Sequence, residues 1–157
     1  MVSFSDAIKN FYLKSFQFKG RATRAEFWWI QLYQLLVFLF AFICMCYSVE
    51  TGGIILAIFI LVNIIPHISL QVRRFHDIGK SGTTLLTILG VSMICSIAVK
   101  MQLPIISFLF ALGQLFVSIW QFIMNVTHGE KENNEYGPNP YETTVIEIPN
   151  TMNGNVR

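Results

Sequence analysis

Apolar residues gather into four long runs, and nearly all of the charge falls in the segments between alternate runs. The first run covers about residues 27–47 and contains no charged residue. It is long enough to cross a ~30 Å hydrocarbon layer as a helix. The second covers about 53–70, the third about 83–99 with several Ser and Thr, and the fourth about 104–126. The connections, 48–52, 71–82 and 100–103, are short. Short links between long helices place neighbours antiparallel. The pattern therefore predicts an all-α integral membrane protein, a four-helix bundle of up-down topology.

Local signals sharpen the ends. Thr23-Arg24-Ala25-Glu26 has the spacing of a capping box at the start of the first span. Pro104 suits the first turn of the fourth. Trp28 and Trp29 stand where an interfacial aromatic belt belongs. Pro66 is expected to kink the second span or loosen its last turn. Ahead of the first span, Phe4, Ile8, Phe11, Tyr12, Ser15 and Phe16 share one face at helical spacing, with Ser3 and Asp6 placed to cap. An aromatic face flanked by lysines reads as an amphipathic helix lying in the membrane interface, or packed on one end of the bundle. The domain plan is then an interfacial helix in 1–19, a four-span domain with a polar cap in 20–141, and a flexible tail in 142–157. The tail from Thr127 onward turns acidic and Asn-rich, and its last dozen residues are expected to be disordered.

Composition supports the bilayer. Hydrophobic residues make up 54% of the chain and charged residues 13%. A chain of 157 residues has too much surface to bury that apolar area in one soluble core. The net charge of +2 matters less than its distribution. Lys9, Lys14, Lys19, Arg21, Arg24, Arg73, Arg74, Lys80, Lys131 and Arg157 fall on one side of four spans, and Lys100 falls alone on the other. That asymmetry predicts cytoplasmic N and C termini in a bacterial inner (plasma) membrane protein. The first 26 residues hold no cleavable signal pattern, so the first span is expected to target the chain. Cys44, Cys46 and Cys95 lie in apolar runs and read as small hydrophobes rather than a disulfide framework.

The densest polar cluster is Arg73-Arg74-Phe75-His76-Asp77-Ile78-Gly79-Lys80-Ser81-Gly82. Its Gly-Lys-Ser resembles the end of a phosphate-binding loop, but the required upstream glycine is replaced by Arg74 and no strand precedes it. Arg21, Arg24, Arg73, Arg74 and Lys80 remain candidate contacts for an anion or a lipid phosphate. The plainer reading is that basic loops set topology and pair with Glu26 and Asp77. His76 and Asp77 are adjacent, and adjacent helical residues do not face each other, so the spacing implies no acid–base dyad. The three histidines lack metal-ligand spacing. No catalytic residue, metal or cofactor is assigned. The spans carry no mid-membrane charge, which argues against proton coupling or voltage sensing. Asn63, Gln114 and Gln121 read as helix–helix hydrogen-bonding groups. Asn125-Val126-Thr127 matches a glycosylation sequon, on the cytoplasmic side where it would not be used.

Three blocks carry a resemblance. They are Phe18-Lys19-Gly20-Arg21-Ala22-Thr23-Arg24-Ala25-Glu26-Phe27-Trp28-Trp29, the Arg73–Gly82 cluster, and Asn134-x-Tyr136-Gly137-Pro138-Asn139-Pro140. Together they resemble a bacterial inner-membrane family titled domain of unknown function 805, which includes YhaH and YhaI. The resemblance spans about residues 10–141. Where relatives carry aromatic residues after the Gly-Lys-Ser-Gly block, this chain has Thr83-Thr84. The resemblance implies a small polytopic inner-membrane protein and supplies no substrate. The reading that follows is a non-enzymatic membrane protein with a basic cytoplasmic face contacting anionic membrane lipids or a partner protein, and no nucleic acid. A channel or transporter component, and an enzyme acting on lipid head groups through His76, are the alternatives. Glu26, His76, Asp77, Asn134 and Tyr136 are the expected members of a structural polar cap where the three blocks meet.

Overall fold

The computed structural model describes residues 2–99 and 104–141. The connector 100–103, with Lys100, and the tail 142–157, with its expected flexibility, lie outside the described residues. Five helices account for the described fold: α1 (Phe4–Leu13), α2 (Arg24–Tyr47), α3 (Val49–Asp77), α4 (Thr83–Val99) and α5 (Pro104–Val126). The protein is all-α among the described residues. Three helices, α2, α3 and α5, are long and apolar enough to cross a membrane, and α4 is a shorter apolar helix. At 17 residues α4 sits at the lower limit of what a span requires.

The segment 71–82 was expected to be a loop, yet helix continues through Asp77 and is unbroken across Pro66. Twenty-nine residues make a rod of roughly 43 Å, well beyond a ~30 Å hydrocarbon layer. The excess holds Arg73, Arg74, His76 and Asp77. Polarity marks where the hydrocarbon ends, but the helix does not stop there, because buried polar partners accept its charged turns.

The four apolar helices form two antiparallel hairpins, α2 with α3 and α4 with α5. The hairpins meet each other over much less surface. Within lipid no hydrophobic force drives helices together, so packing and polar pairs decide which surfaces join. In the first hairpin the turn is one residue long. Ser48 ends α2 and caps α3, its hydroxyl accepting from the Thr51 amide. Gln34 and His67 pair across α2 and α3 at 3.1 Å, and Gln114 reaches Ser92 across the second hairpin.

The N-terminal helix is held against the first hairpin. Ala7 and Phe11 are fully buried with Ala22, Phe27, Ile30 and Leu70. Tyr12 Oη donates to Asn63 Oδ1 at 3.0 Å and lies 2.9 Å from Tyr33 Oη. Ser69 Oγ shares its one proton between the Lys14 and Gln17 carbonyls, in the turn that follows α1. Leu13 and Phe16, by contrast, are 73% and 77% exposed. One face of α1 is thus packed on protein and its C-terminal end offers apolar side chains outward. Asn63 is the helix–helix hydrogen-bonding group expected of it, and the helix it joins to α3 is α1.

Adjacent glycines at the hairpin turn give a test. A Cβ on Gly52 would collide with the Met45 amide and the Ala41 carbonyl, whereas one on Gly53 meets open space. Gly52→Ala is expected to destabilise by about 1–3 kcal/mol through overpacking. Gly53→Ala is expected to be neutral or stabilising by up to about 1 kcal/mol, since alanine is the better helix former. Thermal unfolding of both variants in detergent checks the contrast.

Candidate functional site: a buried ionic cap

The charged end of the bundle is assembled around the Asp77 carboxylate, which is fully buried. Arg21 Nε donates to Oδ1 at 3.0 Å and Arg74 Nη1 to Oδ2 at 2.6 Å. Tyr141 Oη also donates to Oδ2, at 2.8 Å. Burial, and then this bond to Asp77, raise the Tyr141 phenol above its ordinary range, which keeps it a donor. Gly129 packs against the same carboxylate so closely that a Cβ there would overlap both oxygens.

Each arginine on Asp77 also binds a different part of the chain. The remaining nitrogens of Arg21 donate to the Glu132 carbonyl at 2.7 Å and to the Glu130 carbonyl. Arg74 donates to the Asn125 carbonyl and to that of Thr127, where α5 ends. These carbonyls are ones that a helix terminus cannot satisfy itself. Gln71 Nε2 adds a 2.8 Å bond to Asn125 Oδ1. The approach to α2, the end of α3, the end of α5 and the tail turn are therefore tied at one point.

Glu26 and Arg73 form a second buried pair at 3.1 Å. Thr23 Oγ1 caps the Glu26 amide, which is half of the capping box; the Glu26 side chain turns to Arg73 instead of back to Thr23. Nε and Nη2 of Arg73 have no hydrogen-bond partner among the described residues. This pair carries a desolvation cost with less compensation than the Asp77 cluster.

The Gly-Lys-Ser segment proves to be a helix stop. Gly79 has φ +68°, its amide donates to the His76 carbonyl, and the Lys80 amide donates to that of Phe75. Those two bonds are the Schellman arrangement, in which glycine takes the left-handed position. His76 and Asp77 point to different partners. His76 Nδ1 lies 3.1 Å from the Gly20 carbonyl, an acceptor that requires a proton on that nitrogen. The ring stacks on Tyr136, with centroids 3.9 Å apart and planes 5° off parallel. Asn134 Nδ2 donates to the His76 carbonyl, and Asn134 Oδ1 accepts from the Tyr136 amide.

The structure thus brings Arg21, Glu26, Arg73, Arg74, His76, Asp77, Asn134 and Tyr136 into one region. Arg21, Arg73 and Arg74 are buried in protein ion pairs. Arg24 is only partly buried and Lys80 is exposed. Among the described residues no three His, Cys, Asp or Glu side chains are grouped to hold a metal. Tyr141 and Gly129 were missed by sequence reasoning, because neither belongs to a charge pattern and only the fold brings them to Asp77.

Removing one partner of a buried pair strands the other charge. Asp77→Asn is expected to cost about 3–5 kcal/mol, read by denaturant unfolding in detergent. Glu26→Gln is expected to destabilise more than the joint change Glu26→Leu with Arg73→Met, which removes both buried charges together.

Comparison with curated proteins finds no match to this chain, and comparison with solved structures finds none either. The family model described as protein of unknown function (DUF805) matches residues 15–138, a stretch that takes in both ion-pair clusters and most of the tail turn. The chain belongs to the DUF805 family.

Proposed function

We propose that the protein is a non-enzymatic, multi-pass inner-membrane protein with both termini in the cytoplasm, whose basic face rests on the anionic leaflet. The observation that carries this reading is a division of labour among the basic residues. Arg21, Arg73 and Arg74 are consumed in buried pairs. Lys9, Lys14, Lys19, Arg24 and Lys80 are exposed or half-exposed on the same end of the bundle. None of these five has an ion-pair partner among the described residues. Buried ions hold the helices; the exposed ones are available to phosphate groups. Each Lys or Arg near an anionic leaflet contributes about 1 kcal/mol of attraction.

The residues named as lipid contacts therefore narrow to Arg24 and Lys80, joined by the three lysines of the N-terminal segment. His76 is assigned a structural part, since its ring is occupied by the Gly20 carbonyl and Tyr136.

Reporter fusions test the orientation: a cytoplasmic reporter is expected to be active after Tyr141 and inactive at Glu50, and the reverse pattern defeats it. Joint replacement of Lys14, Lys19 and Lys80 by Gln is expected to lower the anionic lipid that co-purifies with the protein, while the thermal midpoint stays put. Unchanged lipid content counts against the basic-face reading. His76→Gln is expected to lower detergent stability by about 1 kcal/mol, the scale of an aromatic contact or one hydrogen bond, and to leave membrane lipid composition unaltered. A changed lipid pool with stability intact would favour the enzymatic reading.

A further inference from the structure

A groove of about 1100 Å³ opens between α1, the first turns of α2 and the Pro140–Tyr141 segment. None of its polar side chains belongs to the Asp77 cluster except Tyr141, whose hydroxyl is already committed to that carboxylate. Two cations line it, Lys9 from α1 and Arg24 from α2, together with the single carboxylate of Asp6. Asp6 is engaged by the Ser3 hydroxyl at 2.6 Å, and Arg24 is held only loosely, by the Val126 carbonyl at 3.3 Å. The lining therefore carries a formal charge of +1, and neither cation is in an ion pair among the described residues.

The apolar walls are fixed in advance. Trp29 Nε1 donates to the Val2 carbonyl at 3.1 Å, and Trp28 packs edge-on against Phe27 and Phe122. Below them Leu32 continues into Leu36 and Leu39 along one side of α2, all exposed and at helical spacing. The groove thus runs from two cations to an aliphatic stripe, the same order of polarity as the head group and acyl chain of a lipid. Paired tryptophans are typical of the level where the two meet in a bilayer.

We propose that this groove binds one anionic phospholipid of the bilayer. Lys9 and Arg24 take the phosphodiester, Trp28 and Trp29 flank the glycerol region, and Leu32, Leu36 and Leu39 guide an acyl chain. This rests on the reading that the basic face lies at the anionic leaflet, and goes further by naming one saturable site on it.

The test uses the full chain carrying Trp120→Phe, so that Trp28 and Trp29 are the remaining indoles. It is reconstituted in phosphatidylcholine nanodiscs with increasing phosphatidylglycerol brominated on its acyl chains. Saturable quenching of tryptophan emission is expected. Its midpoint should rise roughly tenfold or more in Lys9→Gln with Arg24→Gln, because two cationic contacts are lost. It should be restored towards the parent by Lys9→Arg with Arg24→Lys, and move less than about twofold in Lys80→Gln. Circular dichroism melts establish that each variant is folded. An equal shift in Lys80→Gln overturns the groove and leaves the general basic-face reading standing. Midpoints unmoved by any substitution overturn both. Equal quenching by brominated phosphatidylcholine or phosphatidylethanolamine overturns the assignment of an anionic lipid.

Discussion

The buried carboxylate of Asp77 is the constraint on which the rest of the structure depends. A carboxylate without water is tolerated only when cations and donors surround it. Here Arg21, Arg74 and Tyr141 do so, and each arrives from a different stretch of the chain. The two arginines spend their other donors on carbonyls at the end of α5 and in the tail. One charge therefore fixes the relative position of four segments. The close approach of Gly129 shows how tightly the tail is drawn against that group.

Such a clamp matters more in a bilayer than it would in water. Lipid chains solvate the apolar faces of α2 to α5 as well as neighbouring helices do, so apolar contact alone has little power to bring the two hairpins together. Their sparse mutual contact along the spans is consistent with that. The cap supplies polar interactions that have no substitute in hydrocarbon. It also explains why α3 overruns its membrane span: the extra turns place Arg73, Arg74 and Asp77 on a rigid helix, from which each can reach a partner on another element.

The N-terminal helix has a different logic. Its inner face fits the first hairpin through Ala7 and Phe11, and Ser69 ties down the turn that follows it through the Lys14 and Gln17 carbonyls. Its outer surface keeps Lys9 exposed and Lys14 half-exposed beside apolar Leu13 and Phe16. The two readings of this segment, lying in the interface or packed on the bundle, are compatible, because the helix has a face for each. Packing it beside α2, rather than flat beneath the bundle, creates the groove that Trp28, Trp29 and Arg24 line.

The sequence by itself determined the helical class, the start of α2 at its Thr23 cap, the start of α5 at Pro104 and the crowding of basic residues at one end. Each of these is local or periodic: a run of apolar side chains, a capping residue, a proline at a first turn, a count of charges between runs. It misplaced the end of α3, because polar residues after a span look like a loop when their partners are unknown. Gly79, suggestive of a phosphate loop in one dimension, is a helix stop whose meaning lies in two backbone hydrogen bonds. Which arginines are buried and which remain open was decided only by the tertiary structure. Arg21 and Arg24 are three residues apart and chemically identical, yet Arg21 is locked onto Asp77, 56 positions away along the chain, and Arg24 faces a groove. Burial depends on which distant groups arrive to compensate a charge, and that is a property of the assembled fold rather than of any stretch of sequence.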